Sequence, residues 1–229
     1  MPEVTNDFRA VCAAELLKLR SLPAVAITLA VTLVCTTGLS VLLATSDETP
    51  LQTIQYAQVG FIVLGVLTIG SEYAGSQIHT TLLSMPNRLA LLAGKATAYG
   101  MTALVAAVLT VTAAFVASRL SSDQPAGDLG ALLGAVAYLV LIGLLAAAIA
   151  TLTRNLLAAV IGMTALVLIV SPLLRSITTA ASYLPDSAGM RLYQGADDSL
   201  TVLQGSAVLV GWLAVAHVVS AATFLKRDA

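Results

Sequence analysis

Few residues of this sequence stand at the spacings that catalysis or metal binding requires. The pair Gly94-Lys95 looks like the end of a phosphate-binding loop, but Ala96 follows it and a leucine replaces the first glycine of that motif. The two histidines, His79 and His217, belong to no H-E-x-x-H motif, so a zinc site is not expected. No G-x-S-x-G sequence marks a serine nucleophile. We therefore predict that the chain is not an enzyme and that it binds no cofactor or metal ion of its own.

A polar segment between residues 70 and 88 is the most distinctive part of the sequence. Residues that bend the chain or form polar contacts are grouped there, and those of interest are Glu72, Tyr73, Gly75, Ser76, Thr80, Thr81, Leu82, Pro86 and Arg88. Ile78, Leu82 and Leu83 recur at helical spacing, which predicts a short helix that Pro86 ends. A simple connection needs only about 4–6 residues, so this longer segment is expected to contact another molecule.

The composition excludes an ordinary soluble protein. Of the 229 residues, 58% are hydrophobic and only 10% are charged, whereas a soluble domain carries about 25% charged residues. The apolar residues are mainly alanine, leucine and valine, which suit closely packed membrane helices, and the alternating pattern of a membrane barrel is absent. We predict an all-α integral membrane protein in which residues 1–229 form one membrane domain.

Six apolar stretches are long enough to cross a bilayer, because a hydrocarbon core about 30 Å thick needs a helix of about 20 residues. They are predicted at residues 22–44, 54–70, 96–118, 129–152, 156–174 and 204–225. Two connections are longer than the others. The connection at 71–95 is expected on the side of the chain termini, and the one at 175–203 is expected to form a broken helical loop on the opposite side.

Charged residues are distributed unequally between the two sides of these spans. Eight of the eleven basic residues lie on the side of the termini, at Arg9, Lys18, Arg20, Arg88, Lys95, Arg154, Lys226 and Arg227. Seven of the twelve acids lie on the opposite side, at Asp47, Glu48, Asp123, Asp128, Asp186, Asp197 and Asp198. The positive-inside rule therefore predicts that both termini are cytoplasmic.

Residues 6–20 are predicted to form an amphipathic helix before the first span. Its apolar face consists of Phe8, Val11, Cys12, Leu16 and Leu19, and Glu15 interrupts that face. We expect this helix to lie along the cytoplasmic interface. A basic flank that only sets the topology is the alternative interpretation.

One face of the predicted fourth span carries small residues, at Gly130, Gly134, Gly143, Ala147 and Thr151. Such a row permits two helices to approach closely. The sequence leaves open whether this contact lies within the bundle or between two protomers.

The order of these features resembles the ABC type-2 permease family, the six-helix membrane subunits of ATP-binding-cassette exporters. The polar segment, Glu72-Tyr-Ala-Gly-Ser-Gln-Ile-His-Thr-Thr-Leu-Leu-Ser-Met-Pro-Asn-Arg88, carries most of the resemblance. Glu15-Leu-Leu-Lys18-Leu-Arg20 and Tyr183-Leu-Pro185-Asp-Ser-Ala extend it, so that it spans residues 8–225. The resemblance implies that the polar segment is a coupling helix on a cytoplasmic ATPase subunit. It also implies that Glu15, Lys18 and Arg20 belong to an N-terminal interface helix, and Tyr183 and Pro185 to an outer gate.

Further expectations follow from this resemblance. It implies export of an amphipathic substrate (a drug, a peptide or a lipid), with ATP and Mg²⁺ bound by the partner ATPase. A second copy of the permease, or a related permease, is expected beside this chain in the plasma (inner) membrane of a bacterium, in contact with lipid and with no nucleic acid. A non-transporting membrane scaffold or accessory subunit is the alternative. For the two residues themselves, the alternative interpretations are an ordinary interfacial carboxylate at Glu72 and an ordinary topology determinant at Arg88.

Overall fold

The protein is described by a computed structural model that covers residues 2–44, 50–74, 88–121 and 128–227, with the backbone alone at residues 2–7, 50, 71–74, 88, 225 and 227. Within these ranges the chain is all-helical, as predicted. The helices are α1 (Pro2–Ser21), α2 (Pro23–Leu43), α3 (Ile54–Ala74), α4 (Arg88–Ser121), α5 (Leu129–Thr153), α6 (Leu156–Ala165), α7 (Ser171–Arg175), α8 (Pro185–Gln194) and α9 (Val202–Arg227). Two 3₁₀ turns, Pro50–Thr53 and Thr179–Tyr183, precede α3 and α8, and a π-helical turn, Leu166–Val170, joins α6 to α7.

All six predicted spans are confirmed as helical segments that are long and apolar enough to cross a membrane. These segments are Pro23–Leu43, Leu51–Gly70, Leu89–Ser121, Leu129–Thr153, Leu156–Arg175 and Val202–Phe224. The chain is therefore a multi-pass membrane protein. Val11 of α1, Leu91 of α4 and Phe224 of α9 meet in one buried cluster, so both ends of the chain lie at the same end of the bundle. We call this the terminal end and the opposite one the distal end.

The second and fourth spans form the centre of the bundle. In α3, 61% of the span is buried, and in α5 50%, against 22–28% in the other four spans. Glycines make this centre compact, because Gly65 of α3 lies against the carbonyl oxygen of Gly143 in α5, and Gly143 lies against the hydroxyl of Tyr99 in α4. Gly134 of α5 similarly faces the carbonyl of Leu192 in α8. The close contacts of Gly134 and Gly143 thus lie within one chain.

The connection between the second and third spans is shorter than predicted. We expected a loop over residues 71–95, but α3 continues to Ala74 and α4 already begins at Arg88. Leu91 and Lys95 are buried against other helices, which explains why the helix extends beyond the apolar core of the span. From Lys95 to Arg119 the helix rises about 36 Å, already more than a hydrocarbon core of about 30 Å. The helix of 34 residues is therefore longer than the core is thick.

The last three spans are joined by short connections. Arg154 ends α5 with a positive φ of 50°, and the side chain of Asn155 accepts a hydrogen bond from the Ala158 backbone N–H at 3.1 Å at the start of α6. The π-helical turn lies just before Pro172. Proline has no N–H and its ring collides with a helical carbonyl four residues earlier, so a wider turn relieves that collision.

Candidate functional site

Most residues of the predicted coupling segment lie outside the described part of the chain. Gly75, Ser76, Thr80, Thr81, Leu82 and Pro86 belong to this group. Glu72 and Tyr73 stand in the last turn of α3, and Arg88 is the first residue of α4, each described by its backbone alone. The structure thus describes the two helices that flank the segment 75–87.

The N-terminal helix is attached to α4 by a buried ion pair. Glu15 Oε1 lies 2.7 Å from the Nζ of Lys95, and their side chains are only 8% and 3% exposed. Lys18 Nζ approaches the other carboxylate oxygen, Oε2, at 3.5 Å. Lys95 stands in the third turn of α4, close behind the segment 75–87 in the chain. The pair therefore joins α1 to the first turns of α4, which follow that segment in the chain.

The packing of α1 explains the carboxylate that interrupts its apolar face. Val11, Glu15 and Leu19 follow each other at four-residue spacing, share one helix face and are all buried. Val11 packs so closely on Gly94 of α4 that a β-carbon at position 94 would lie 2.5 Å from Val11 Cγ1. Glu15 thus belongs to the packed face, and its counter-ion comes from α4. Of the other predicted interface residues, Lys18 is partly buried and Arg20 is exposed.

At the distal end, the predicted outer loop is a sequence of short helical elements packed on the spans. Pro185 is buried at the start of α8, whereas the side chain of Tyr183 is exposed. The backbone carbonyl of Tyr183 accepts a hydrogen bond of 2.9 Å from Trp212 Nε1 in α9. Gly189 of α8 lies against the ring of Tyr138 in α5, with 2.5 Å between the place of a β-carbon and Tyr138 Cε2. These contacts hold α8 firmly against α5 and α9.

Asp186 is a buried carboxylate in the first turn of α8. It is 1% exposed, its Oδ2 lies 3.7 Å from Arg175 Nη2, and its Oδ1 has no hydrogen-bond partner among the described residues. The hydroxyls of Ser171 and Ser187 are 2.8 Å apart beside it. Burial raises the pKa of the Asp186 carboxyl, while the hydrogen bond from Ser171 and the charge of Arg175 act in the opposite direction.

This raised pKa predicts a pH dependence of stability. The folded chain binds the Asp186 proton more tightly than the unfolded chain, so the free energy of unfolding falls as the pH rises from the ordinary value of 3.8 through the raised value. We expect the Asp186→Asn variant to lose this dependence and, at neutral pH, to melt at or above the wild-type temperature. Thermal unfolding in detergent across the acidic range measures both effects.

The matched control for this variant is Asp198→Asn, which removes an exposed carboxylate from the turn that follows α8. It should leave the pH dependence unchanged. A wild-type pH dependence in the Asp186→Asn chain would contradict the assignment to that carboxyl.

The end of α8 is held by a second ion pair. Arg191 Nη1 lies 2.7 Å from Asp197 Oδ2, across a turn in which Gly195 adopts a positive φ of 89°. The hydrogen bond from the Ser199 hydroxyl is the main cause that lowers the pKa of the Asp197 carboxyl. The connection from α8 to α9 is thus tied by polar contacts of its own.

Two comparisons with known proteins were without a match. No protein-family model matches the chain, and no curated protein matches its sequence. Within the described residues, no group of three His, Cys, Asp or Glu side chains could hold a metal ion. The functional interpretation therefore depends on the residues themselves and on the packing around them.

The sequence alone does not indicate two of the clusters in the structure. The partner of Glu15 was not predicted, although a carboxylate on an otherwise apolar helix face already requires a buried cation or hydrogen-bond donor. The cluster of Asp186, Ser171 and Arg175 was also missed. Its residues come from both sides of the 3₁₀ turn, and no spacing in the sequence indicates that they meet.

Proposed function

We propose that this chain is the membrane-spanning permease subunit of an ATP-binding-cassette exporter and that it couples to a separate ATPase subunit. The observation that supports the proposal best is the buried Glu15–Lys95 ion pair, which joins α1 to the first turns of α4. Those turns follow directly after the segment that resembles a coupling helix. A partner that holds this segment would thus act on two helices at once.

The path of such a movement follows from the packing. The segment 75–87 is bounded by α3, which forms the centre of the bundle, and by α4, a single helix of 34 residues. A displacement of a few ångströms in a partner ATPase would reach both helices, because helices shift as rigid bodies against each other. The closely packed Gly65 and Gly143 then convey it from α3 to α5. On this proposal the termini are cytoplasmic, as the charge distribution favours.

The surfaces of α2 and α4 favour an amphipathic molecule as the transported substrate. A groove of about 580 Å³ lies between these helices, and its walls are mainly leucine, valine and alanine side chains with two threonines. Arg20, the charged residue among the lining side chains described, stands at the terminal end of the groove. An apolar wall with a cation at one end suits a molecule with an apolar body and a polar head. The substrate pathway is proposed to be completed by a second copy of the chain or by a related permease.

The proposal is tested by co-purification with an ATP-binding-cassette ATPase encoded beside this chain, followed by measurement of substrate-stimulated ATP hydrolysis. We expect Glu72→Ala and Gly75→Leu variants to insert into the membrane in wild-type amounts and to lose the stimulated hydrolysis. Asp198→Asn, a change at the distal end, is the control and should preserve stimulation.

Two outcomes would contradict parts of the proposal. Wild-type stimulation in both variants would remove the coupling role of the segment 75–87. Failure of the wild-type chain to bind or stimulate any such ATPase would favour the scaffold or accessory subunit instead.

A further inference from the structure

A polar cavity lies at the distal end, between the start of the second span and the end of α8. Its volume is about 480 Å³, and its described lining residues are Leu51, Gln52, Gln55, Tyr193 and Gln194. Small-molecule sites commonly have volumes of about 300–1,000 Å³, so the cavity is large enough for a small ligand. It is separate from the apolar groove between α2 and α4, with which it shares no lining residue.

The lining side chains offer hydrogen bonds without charge. Gln52, Gln55 and Gln194 each carry an amide with two donor hydrogens and one acceptor oxygen. Within the described part of the chain, none of these three amide groups is used in a hydrogen bond, and none of the lining side chains carries a formal charge. Three uncharged amides around one space form an arrangement that is able to donate to and accept from the same ligand.

The wall of the cavity also contains a buried phenol group. Tyr193 is 2% exposed, and its hydroxyl has no hydrogen-bond partner among the described residues. Leaving a buried hydroxyl unpaired is unfavourable. Because the hydroxyl is itself inaccessible, it lies inside the wall, and the glutamine amides are the polar groups that a ligand in the cavity can reach.

The position of Tyr193 is set by its neighbours. Its ring packs on the ring of Tyr138 with a centroid separation of 5.3 Å and an angle of 44° between the planes. The Tyr138 hydroxyl donates to Gln58 Oε1, and Gln58 Nε2 donates to the backbone carbonyl of Gln55 at 2.6 Å. Because these contacts lead from Tyr193 back to Gln55, the two walls of the cavity are held in one arrangement before any ligand binds.

This combination selects among ligand classes. An anion or a cation would lose water without finding an opposite charge in the described lining, and an apolar molecule would leave the amides unpaired. Each hydroxyl group of a sugar can both donate and accept hydrogen bonds, which matches the amide groups. We propose that the cavity binds a neutral sugar, either free or as the head group of a lipid. The proposal does not depend on the permease function, because it uses only the distal lining residues.

The test uses the full chain, purified in a detergent without a sugar head group and reconstituted in phosphatidylcholine nanodiscs. Native mass spectrometry counts bound ligand for four probes: glucosyl-diacylglycerol, diacylglycerol and phosphatidylglycerol with identical acyl chains, and free methyl glucoside. We expect the glucosyl lipid to bind more tightly than the two other lipids. Binding of methyl glucoside as well would show that the sugar alone suffices, and its absence would show that the lipid part is needed.

Variants of the lining residues test whether the glucosyl lipid binds in the cavity. Gln52→Leu/Gln55→Leu removes two amides and Gln194→Leu removes the third; each change should weaken binding of the glucosyl lipid by about tenfold or more. Tyr193→Phe retains the ring contact with Tyr138 and should leave this binding unchanged. Gln204→Leu is the matched control, because Gln204 lies at the same end of the bundle and only caps α9 through the Thr201 N–H. It should bind as the wild type does.

Three results would overturn the proposal. They are equal binding of glucosyl-diacylglycerol and diacylglycerol, wild-type binding in both glutamine variants, or preferential binding of an uncharged tripeptide amide at the same residues. None of these results depends on an ATPase, so failure here is distinguishable from failure of the permease proposal.

Discussion

Replacement of Lys95 with methionine is expected to destabilise the folded chain by about 3–5 kcal/mol, because it leaves the buried Glu15 carboxylate without its principal partner. Lys18 lies farther from this carboxylate, at 3.5 Å against 2.7 Å, and its side chain is 24% exposed, so it compensates only in part. Glu15→Leu should be similarly harmful, because the ammonium of Lys95 then loses its close carboxylate. Unfolding in detergent, followed by circular dichroism, measures both effects.

The double variant Glu15→Leu/Lys95→Met separates charge from packing. With both charges removed, apolar side chains of similar length fill the contact between α1 and α4, and most of the lost stability should return. Arg20→Gln changes one exposed charge on the same helix and is expected to alter stability by less than about 0.5 kcal/mol. If the double variant were as unstable as the sum of the single variants, the pair would not be the interaction that holds α1 on α4.

The pair also predicts a functional effect. Because the double variant restores the packing between α1 and α4, we expect it to be stable and still to bind the partner ATPase. Its stimulated ATP hydrolysis then reports whether a specific ion pair, or only firm contact between the helices, is needed for coupling.

Replacement of Gly143 is expected to have the second large effect. A β-carbon at this position would overlap the hydroxyl of Tyr99 and would lie 2.5 Å from the carbonyl oxygen of Phe61 in α3. That carbonyl belongs to the backbone of the central helix and cannot move without shifting α3. We expect Gly143→Ala to cost about 1–3 kcal/mol and Gly143→Leu to prevent recovery of a monodisperse folded chain. Size-exclusion chromatography and thermal unfolding distinguish the two variants.

Gly162 of α6 provides the control for Gly143. Nothing lies within 4 Å of the place of its β-carbon. Gly162→Ala should therefore leave the fold unchanged and raise stability by about 0.5–1 kcal/mol, because alanine loses less backbone freedom than glycine in a helix. Equal stability of Gly143→Ala and Gly162→Ala would show that α3 and α5 do not approach as closely as described.

The spans could be predicted because their signal is local and strong. A helix that crosses a membrane must be apolar over about 20 residues and must satisfy its own backbone hydrogen bonds. Neither requirement depends on where the other helices lie. The limit predicted for the loop 71–95, by contrast, depends on a contact between helices. Lys95 appears as the end of a loop in the sequence, and only its contact with Glu15 explains how a lysine can be buried within a helix.

At the distal end, the packing of the short helices could not be predicted from local sequence signals. Pro185-Asp-Ser indicates the start of a short helix, but nothing in these residues indicates that α8 packs between α5 and α9. That packing requires Gly134 and Gly189 to meet Leu192 and Tyr138, residues that are far apart in the chain. Tyr138 and Tyr193 likewise come together only through this packing.

By itself, the sequence determined that the chain is helical, that six of its segments are able to cross a membrane and that its charges differ between the two ends. These properties follow from hydrophobicity and charge, which each segment carries independently of the others. The tertiary structure alone decided which polar residues meet: Glu15 with Lys95, Asp186 with Arg175, and the glutamines with Tyr193 around one cavity. In an apolar environment a polar side chain is stable only beside a suitable partner, and that partner is set by helix packing between distant parts of the chain.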